Sequence, residues 1–246
     1  MIQKLVTEYD RNGVIVIKKL FTLGEVNHLK SKINFYIKKN SCKLKGKEIN
    51  YIKKKINSIH QFKDPFFKKF STQKRILNIG KNLLKDSPKF RKCEYFAKPK
   101  KIGLASPLHQ DNYYWNLKKG KGLTMWIAID KSYKNNGTVK YLIKSHKKGL
   151  VEHEASFAPG SSQKVKNMSK YIKIFKTKKF NLNIGDCLVH HSEIIHGSDR
   201  NKSKYSRRGF TIQLVSKKET VNQTALKKYN ISLRKQIAQR TKSTVH

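Results

Sequence analysis

Acidic residues are scarce in this chain: 15 Asp and Glu stand against 56 Lys and Arg among 246 residues, a formal net charge of +41. Such a field attracts nucleic acid, anionic lipid or acidic small molecules. The excess is spread along the whole sequence and accompanies many Asn and Ile, as a bias toward AT-rich codons produces, and Lys53, Lys54 and Lys55 read as solvated. No helix-turn-helix, RNP or zinc-finger signature goes with the charge, so nucleic acid is not the expected partner. Cysteine is scarce too. Cys42, Cys93 and Cys187 are odd in number and widely spaced without a C-x-x-C pair, which argues against a disulfide framework and a zinc ribbon and leaves small buried hydrophobes. No run of eighteen apolar residues exists, and "MIQKLVTEYDRNG" lacks the apolar stretch of a signal peptide, so the expectation is a soluble, cytoplasmic protein without a membrane span. Internal repeats and low-complexity tracts are absent as well.

What is present is enough apolar material for a core. Leu, Ile, Val and Phe make up 65 residues, about 26%, above the roughly 20% below which a highly charged chain stays disordered. The length suits a single domain over 1–246, divided into an N-terminal strand and helices (1–90), a strand-rich core (91–216) and a helical or frayed basic tail (217–246).

Asn12 and Gly13 mark a turn before a short β-branched strand. Thr22 and Glu25 then stand in capping-box spacing ahead of Val26, Leu29 and Ile33 at helical intervals. Residues 38–61 read as a polar surface excursion, and 64–85 as a helix opened by Asp64 and Pro65, with Ile76, Ile79 and Leu83 on one face. From about residue 92 short apolar or alternating segments appear between turns: "CEYFAK", "LTMWIAID", "VKYLI", "FNLNI", "CLVHH" and "GFTIQLV". This texture predicts a sandwich or closed barrel flanked by helices, with 152–171 a long polar connection.

One segment, "PLHQDNYYW", carries chemistry. In an extended chain residues i and i+2 point to one side, so His109 and Asp111 can reach one point in space while Gln110 faces away. The spacing alone recurs by chance, and a third ligand is needed. The segment "GDCLVHHSEIIHGSDRNKSKYSRRGFTIQLV" offers His190, His191 and His196. Two His and one carboxylate form the facial triad of non-haem Fe(II) oxygenases, with three coordination positions left open. Strand alternation lets only one of His190 and His191 face inward. Tyr113, Tyr114 and Trp115 read as substrate mouth or packing, and His146 and His153 as surface or loop residues.

Read together, "FAKPKKIGLASPLHQDNYYW", "GLTMWIAID", "NNGTVKYLIKSHKKG" and "GDCLVHHSEIIHGSDRNKSKYSRRG" resemble the phytanoyl-CoA dioxygenase family of Fe(II)/2-oxoglutarate oxygenases, over roughly residues 9 to 216. The resemblance implies a mainly β fold with flanking α, a cupin-like double-stranded β-helix or jelly roll with N-terminal helices packed on one sheet. It implies His109, Asp111 and His196, the last from the H-G-S triplet, as ligands of Fe(II). The 2-oxoglutarate arginine of the family falls on Arg207, with Arg208 the rival. Alternation groups Arg207 with Thr211 and Gln213 and Arg208 with Phe210, Ile212 and Leu214, and a polar face suits an anion pocket. Ser198 and Trp126 match family positions that support the far carboxylate of the cosubstrate, and the pair Lys98 and Pro99 also fits the pattern.

The implied reaction consumes O2 and 2-oxoglutarate, releases succinate and CO2, and hydroxylates a small molecule. Asp111 argues against a halogenase, whose iron needs that ligand position for chloride. The chain departs from the family pattern at Asn135, Asn136 and Gly137, where relatives carry Glu-Asn-Gly, and at Ile143 to His146, where they carry Pro-Gly-Ser-His. Two other readings stand beside this one: a cupin-like metal-binding protein without oxygenase turnover, and a basic nucleic-acid-associated protein that retains the fold. A bare metal site has no need of a guanidinium fork such as Arg207.

Overall fold

The computed structural model describes residues 2–40, 49–52, 55–158 and 161–243, so that Cys42, Lys53 and Lys54 lie outside it. Helix α1 (Ile2–Asn12), which buries Val6 and Tyr9, ends at Gly13, and the chain enters β1 (Val14–Ile17). Helix α2 (Leu23–Asn40) starts at the expected capping box: Glu25 N–H donates to Thr22 Oγ1 at 3.2 Å, and Thr22 N–H donates to Glu25 Oε2 at 2.8 Å. The supposed surface excursion instead contains β2 (Ile49–Ile52) and β3 (Lys55–Ile59), a hairpin that joins the edge of a sheet. Weak local patterning concealed it because an edge hairpin gains its backbone hydrogen bonds from a distant strand.

The helical stretch 64–85 is two helices, α3 (Pro65–Ser71) and α4 (Lys74–Leu84). Asp64 caps the first by accepting from Phe66 N at 2.8 Å. The break falls where Ser71 and Thr72 donate to the carbonyls of Phe67 and Lys68 and so offer the backbone a way to end.

Ten strands follow among the described residues: β4 (Pro88–Lys98), β5 (Ser106–His109), β6 (Gly122–Ala128), β7 (Val139–Leu142), β8 (His153–Ala158), β9 (Ser161–Val165), β10 (Thr177–Lys179), β11 (Cys187–His191), β12 (His196–Ser198) and, closing the core, β13 (Arg207–Ser216). The connection 152–171 is not structureless: it forms the β8–β9 hairpin and the start of α6 (Met168–Ile174). "FNLNI" is not a strand. Its strand neighbour is β10, just before it, and Leu182 makes only an isolated bridge to Ser132. Two further helices are α5 (Asp111–Trp115) and α7 (Gln223–Ser243).

Seven strands make one sheet in the order β1-β11-β6-β13-β4-β3-β2, and four make a second, β10-β7-β12-β5. From β4 to β7 and again from β10 to β13 the chain alternates between the sheets, all pairings being antiparallel. This is the jelly roll, with two facing sheets rather than a closed barrel.

Alternation gives the large sheet two different faces. Phe210, Ile212, Leu214, Met125, Ile127 and Val189 form one buried cluster with Leu29, Ile33, Phe67, Ile76 and Leu83, so the helices cover the outer face. Each such large apolar side chain contributes about 1.5–3 kcal/mol when fully buried. The opposite face carries Arg207, Thr211, Gln213, Thr124, Trp126 and His190, brought into register by the β13–β6 and β11–β6 pairings. At one end Trp126 and Leu188 meet Val139 and Tyr141 of the small sheet in a second core. The polar end stays available for chemistry. Cys93 and Cys187 are buried free thiols.

Candidate metal centre

His109 ends β5, Gln110 stays extended at φ −119° and ψ 135°, and Asp111 opens α5. The two side chains therefore share one side although only the first is in a strand. Gln110 points the other way, where its amide donates to the carbonyls of Gly149 and Glu193 and accepts from Val151 N. His196 stands directly opposite His109 across the β12–β5 ladder. It is His196, the histidine that the resemblance implies, that meets the pair: ligand atoms of His109, Asp111 and His196 all lie within 4.8 Å of one another.

The donor atoms are prepared by their hydrogen bonds. His109 Nδ1 donates to Pro107 O at 2.8 Å and His196 Nδ1 to Ile194 O at 3.0 Å, which leaves each Nε2 with a lone pair. Asp111 Oδ1 lies 3.6 Å from His196 Nε2 and 4.0 Å from His109 Nε2. Burial, with the neighbouring His196, pushes the His109 imidazole down to about 4; burial, with His190, does the same to His196. Burial pushes the Asp111 carboxyl upward, but His196 and His190 outweigh it and hold it well below the usual carboxylate range. Two neutral imidazoles and one carboxylate facing a common point suit a divalent transition-metal ion.

The other oxygen of Asp111 is held by Thr124, which the sequence did not point to, and by His190, the one of the two adjacent histidines that faces inward. Thr124 Oγ1 donates to Oδ2 at 2.6 Å, and His190 Nε2 donates to it at 3.2 Å while accepting at Nδ1 from Tyr141 OH at 3.0 Å. The signal for His190 was the alternation in "CLVHH", which turns His191 outward toward Tyr9 and His146. His153, expected on the surface, instead stacks on Tyr113 at 4.2 Å and accepts from Gln110 N at 3.1 Å, because the β8 hairpin folds back over β5. Tyr114 sets its ring edgewise on His109 at 5.7 Å, and Trp115 packs with Leu117 and Val215.

Further along the inner face, Arg207 is buried, donates from Nε and Nη2 to Gly137 O at 3.1 and 2.6 Å, and lies 5.1 Å over the Trp126 ring. Gly137 sits at φ +81°, and a Cβ there would meet Asp199 O at 2.6 Å and Lys98 Cδ at 2.7 Å. The departure at Asn135 thus leaves the glycine that shapes this corner in place. Lys98 pairs with Arg207 across the β13–β4 ladder and donates to Leu104 O, and burial, with Arg207, lowers its pKa to about 6. The Arg207 guanidinium is thus a buried cation that, among the described residues, has no carboxylate paired with it, a chemistry suited to an anion. Arg208 lies on the other face, in a two-point ion pair with Asp130 at 2.7 Å for each contact. Ser198 is buried on β12, opposite Val139 and Ser106.

Among the described residues no helix is long and apolar enough to cross a membrane. The sequence profile of the phytanoyl-CoA dioxygenase (PhyH) family matches residues 9–209. A phytanoyl-CoA dioxygenase domain-containing protein 1 homolog of Caenorhabditis elegans is 27% identical over 200 residues, covering 77% of this chain and 69% of its own. The Mus musculus protein of that name is 26% identical over 216 residues, covering 83% and 73%. The fold is similar to that of EctD from S. alaskensis, solved with 2-oxoglutarate and 5-hydroxyectoine, at a TM-score of 0.72 and 17% identity over 87% of this chain and 75% of EctD. It is likewise similar to SnoK, a non-heme alpha ketoglutarate dependent carbocyclase of nogalamycin biosynthesis, at 0.74 and 18% over 89% and 86%.

Proposed function

Since the chain belongs to the phytanoyl-CoA dioxygenase family, we propose that it is an Fe(II)- and 2-oxoglutarate-dependent dioxygenase that hydroxylates a small molecule. The observation that carries this reading is the convergence of two Nε2 lone pairs and Asp111 Oδ1 on one point, with Oδ2 already satisfied by Thr124 and His190. When bound, iron and 2-oxoglutarate would supply the activation of O2, with succinate and CO2 as by-products. His109, Asp111 and His196 would hold the metal. Arg207 would receive the far carboxylate of 2-oxoglutarate, with the Trp126 ring against the guanidinium and Ser198 nearby on the family pattern.

The fold supplies position. Asp111 is fixed through one oxygen so that the other can face the metal, and the backbone carbonyls of Pro107 and Ile194 set both imidazole tautomers. The reading takes 1–246 as one domain in which the helices within 1–90 brace the sheet and α7 flanks the mouth. Iron handled without turnover is the rival use of the same fold, and Arg207 weighs against it.

Anaerobic titration of Fe(II) and 2-oxoglutarate should give a visible charge-transfer band in the wild type and none in Asp111→Ala or His196→Ala. Identical bands in the wild type and either variant would remove that residue from the centre.

A further inference from the structure

A second cation on the inner face is not used by that scheme. The β13–β4 ladder shifts register between Gln213 and Leu214: Gln213 faces Lys92 and Leu214 faces Phe90, so Arg91 is the extra residue of a β-bulge. Regular alternation would send Arg91 to the helix-covered side with Cys93 and Tyr95. A bulge re-aims a side chain, and here it turns Arg91 inward. Its Nη1 donates to Gln213 Oε1 at 2.6 Å, and its guanidinium lies 5.0 Å over the Trp115 ring.

Three observations make this arginine a receptor rather than a strut. Among the described residues it has that one hydrogen bond and no ion pair, which leaves four of its five N–H donors without a partner among them. Burial accordingly lowers its pKa, although Glu94, Asp111 and Tyr229 are near enough to act on its charge. Second, it stands beside the metal centre: Gln213 faces Thr124 across the β13–β6 ladder, and Thr124 holds Asp111. Third, it is separate from the Arg207 corner. Arg207 and Gln213 are six residues apart on one strand, about 20 Å, a span that a five-carbon diacid does not bridge. The triad stands level with the Gln213 and Thr124 end of the sheet. Aromatic rings complete this side, Tyr229 of α7 meeting Tyr114 at 5.7 Å and Tyr113 at 6.3 Å.

We propose that Arg91 recognises an anionic group, a carboxylate or a phosphoryl group, on the molecule to be oxidised, so that the substrate is an acid rather than a neutral compound. This rests on the reading of His109, Asp111 and His196 as the iron site. The planar fork of a guanidinium matches either anion, and the surplus positive charge of the chain draws anions toward the site.

The test uses protein loaded with Mn(II) and 2-oxoglutarate, which occupies the Arg207 corner, and three probes with a common ring: benzoate, phenyl phosphate and benzamide. Probe affinity is read from ligand line widths, and proximity from Mn(II)-induced proton relaxation. At least one anion should bind and relax strongly while benzamide does not, and whichever anion binds more tightly identifies the group. Arg91→Gln should weaken that anion ten- to a hundredfold and Arg91→Lys about tenfold, the scale of a charge-assisted hydrogen bond, whereas the exposed Lys170→Gln should change nothing. Should Arg91→Gln fail to fold, Arg91→Lys decides. Equal binding of benzamide, no anion bound by the wild type, or unchanged affinity in both Arg91 variants overturns the proposal. Failure of the iron reading is separately visible as equal Mn(II) affinity in wild type and Asp111→Ala; the line widths without metal still report on Arg91.

Discussion

Thr124 donates its hydroxyl hydrogen to Asp111 Oδ2 at 2.6 Å, which fixes the carboxylate so that Oδ1 faces His109 and His196. Thr124 is set by the large sheet and Asp111 by the helix that follows the small sheet, so one hydrogen bond ties the proposed metal ligand to both layers. Thr124→Val keeps the shape and removes the donor. It should weaken Mn(II) or Fe(II) binding about 10- to 100-fold, measured by metal titration, with little change in circular dichroism.

The two arginines at the start of β13 should separate cleanly. Arg207→Lys keeps charge and loses the fork, and it should raise the apparent KM for 2-oxoglutarate about ten- to a hundredfold while metal affinity without cosubstrate stays level. Arg208→Lys should leave that KM nearly unchanged and instead weaken the pairing with Asp130 on the far face. A 2-oxoglutarate titration of both variants reads the difference. The reverse order would remove Arg207 from the cosubstrate corner.

Gly209 has no room for a methyl group: a Cβ there would meet the Trp126 ring at 2.1 Å. Gly209→Ala should cost about 1–3 kcal/mol through overpacking and, by moving the ring on which the Arg207 guanidinium lies, weaken 2-oxoglutarate binding. Urea unfolding and the same titration check the two effects independently.

Glu94 predicts a pH dependence. Its carboxylate is buried against Lys92 and His60 at 2.8 Å each, and burial, which alone would raise the pKa, is outweighed so that it falls from 4.5 to about 2. A carboxyl that binds its proton less readily when folded stabilises fully above the unfolded value near 4.5. That contribution, about 3 kcal/mol, is lost as pH drops toward 2. The stability advantage of wild type over Glu94→Gln should therefore be full at pH 6, shrink below 4.5 and be almost gone at 2, as denaturant unfolding at each pH will show.

The net charge of +41 should give DNA retention that is weak, indifferent to sequence and lost at moderate salt. Retention at high salt would instead favour a nucleic-acid role.

Local pattern was enough for much of this. Period-two alternation in "RRGFTIQLV" separates Arg207, Thr211 and Gln213 from Arg208, Phe210 and Ile212, because side chains on a pleated strand have no other choice of face. The i, i+2 spacing of His109 and Asp111 works for the same reason, even though Asp111 turns out to begin a helix. Capping residues Thr22 and Asp64 mark their helices because those hydrogen bonds are local.

Other features needed the whole chain. Only the family resemblance at the H-G-S triplet singles out His196 among His190, His191 and His196; what brings it to His109 is the β12–β5 pairing across some 87 residues. The β2–β3 hairpin exists because β4 offers an edge, and Arg91 faces inward because one register shift against β13 overrides its place in the alternation. Thr124 becomes a partner of Asp111 only when the two sheets meet. Sequence by itself determined the face of each side chain within a regular strand, since that follows from backbone geometry alone. Tertiary structure decided which faces meet and where the register slips, since pairing energy comes from strands far apart in the chain.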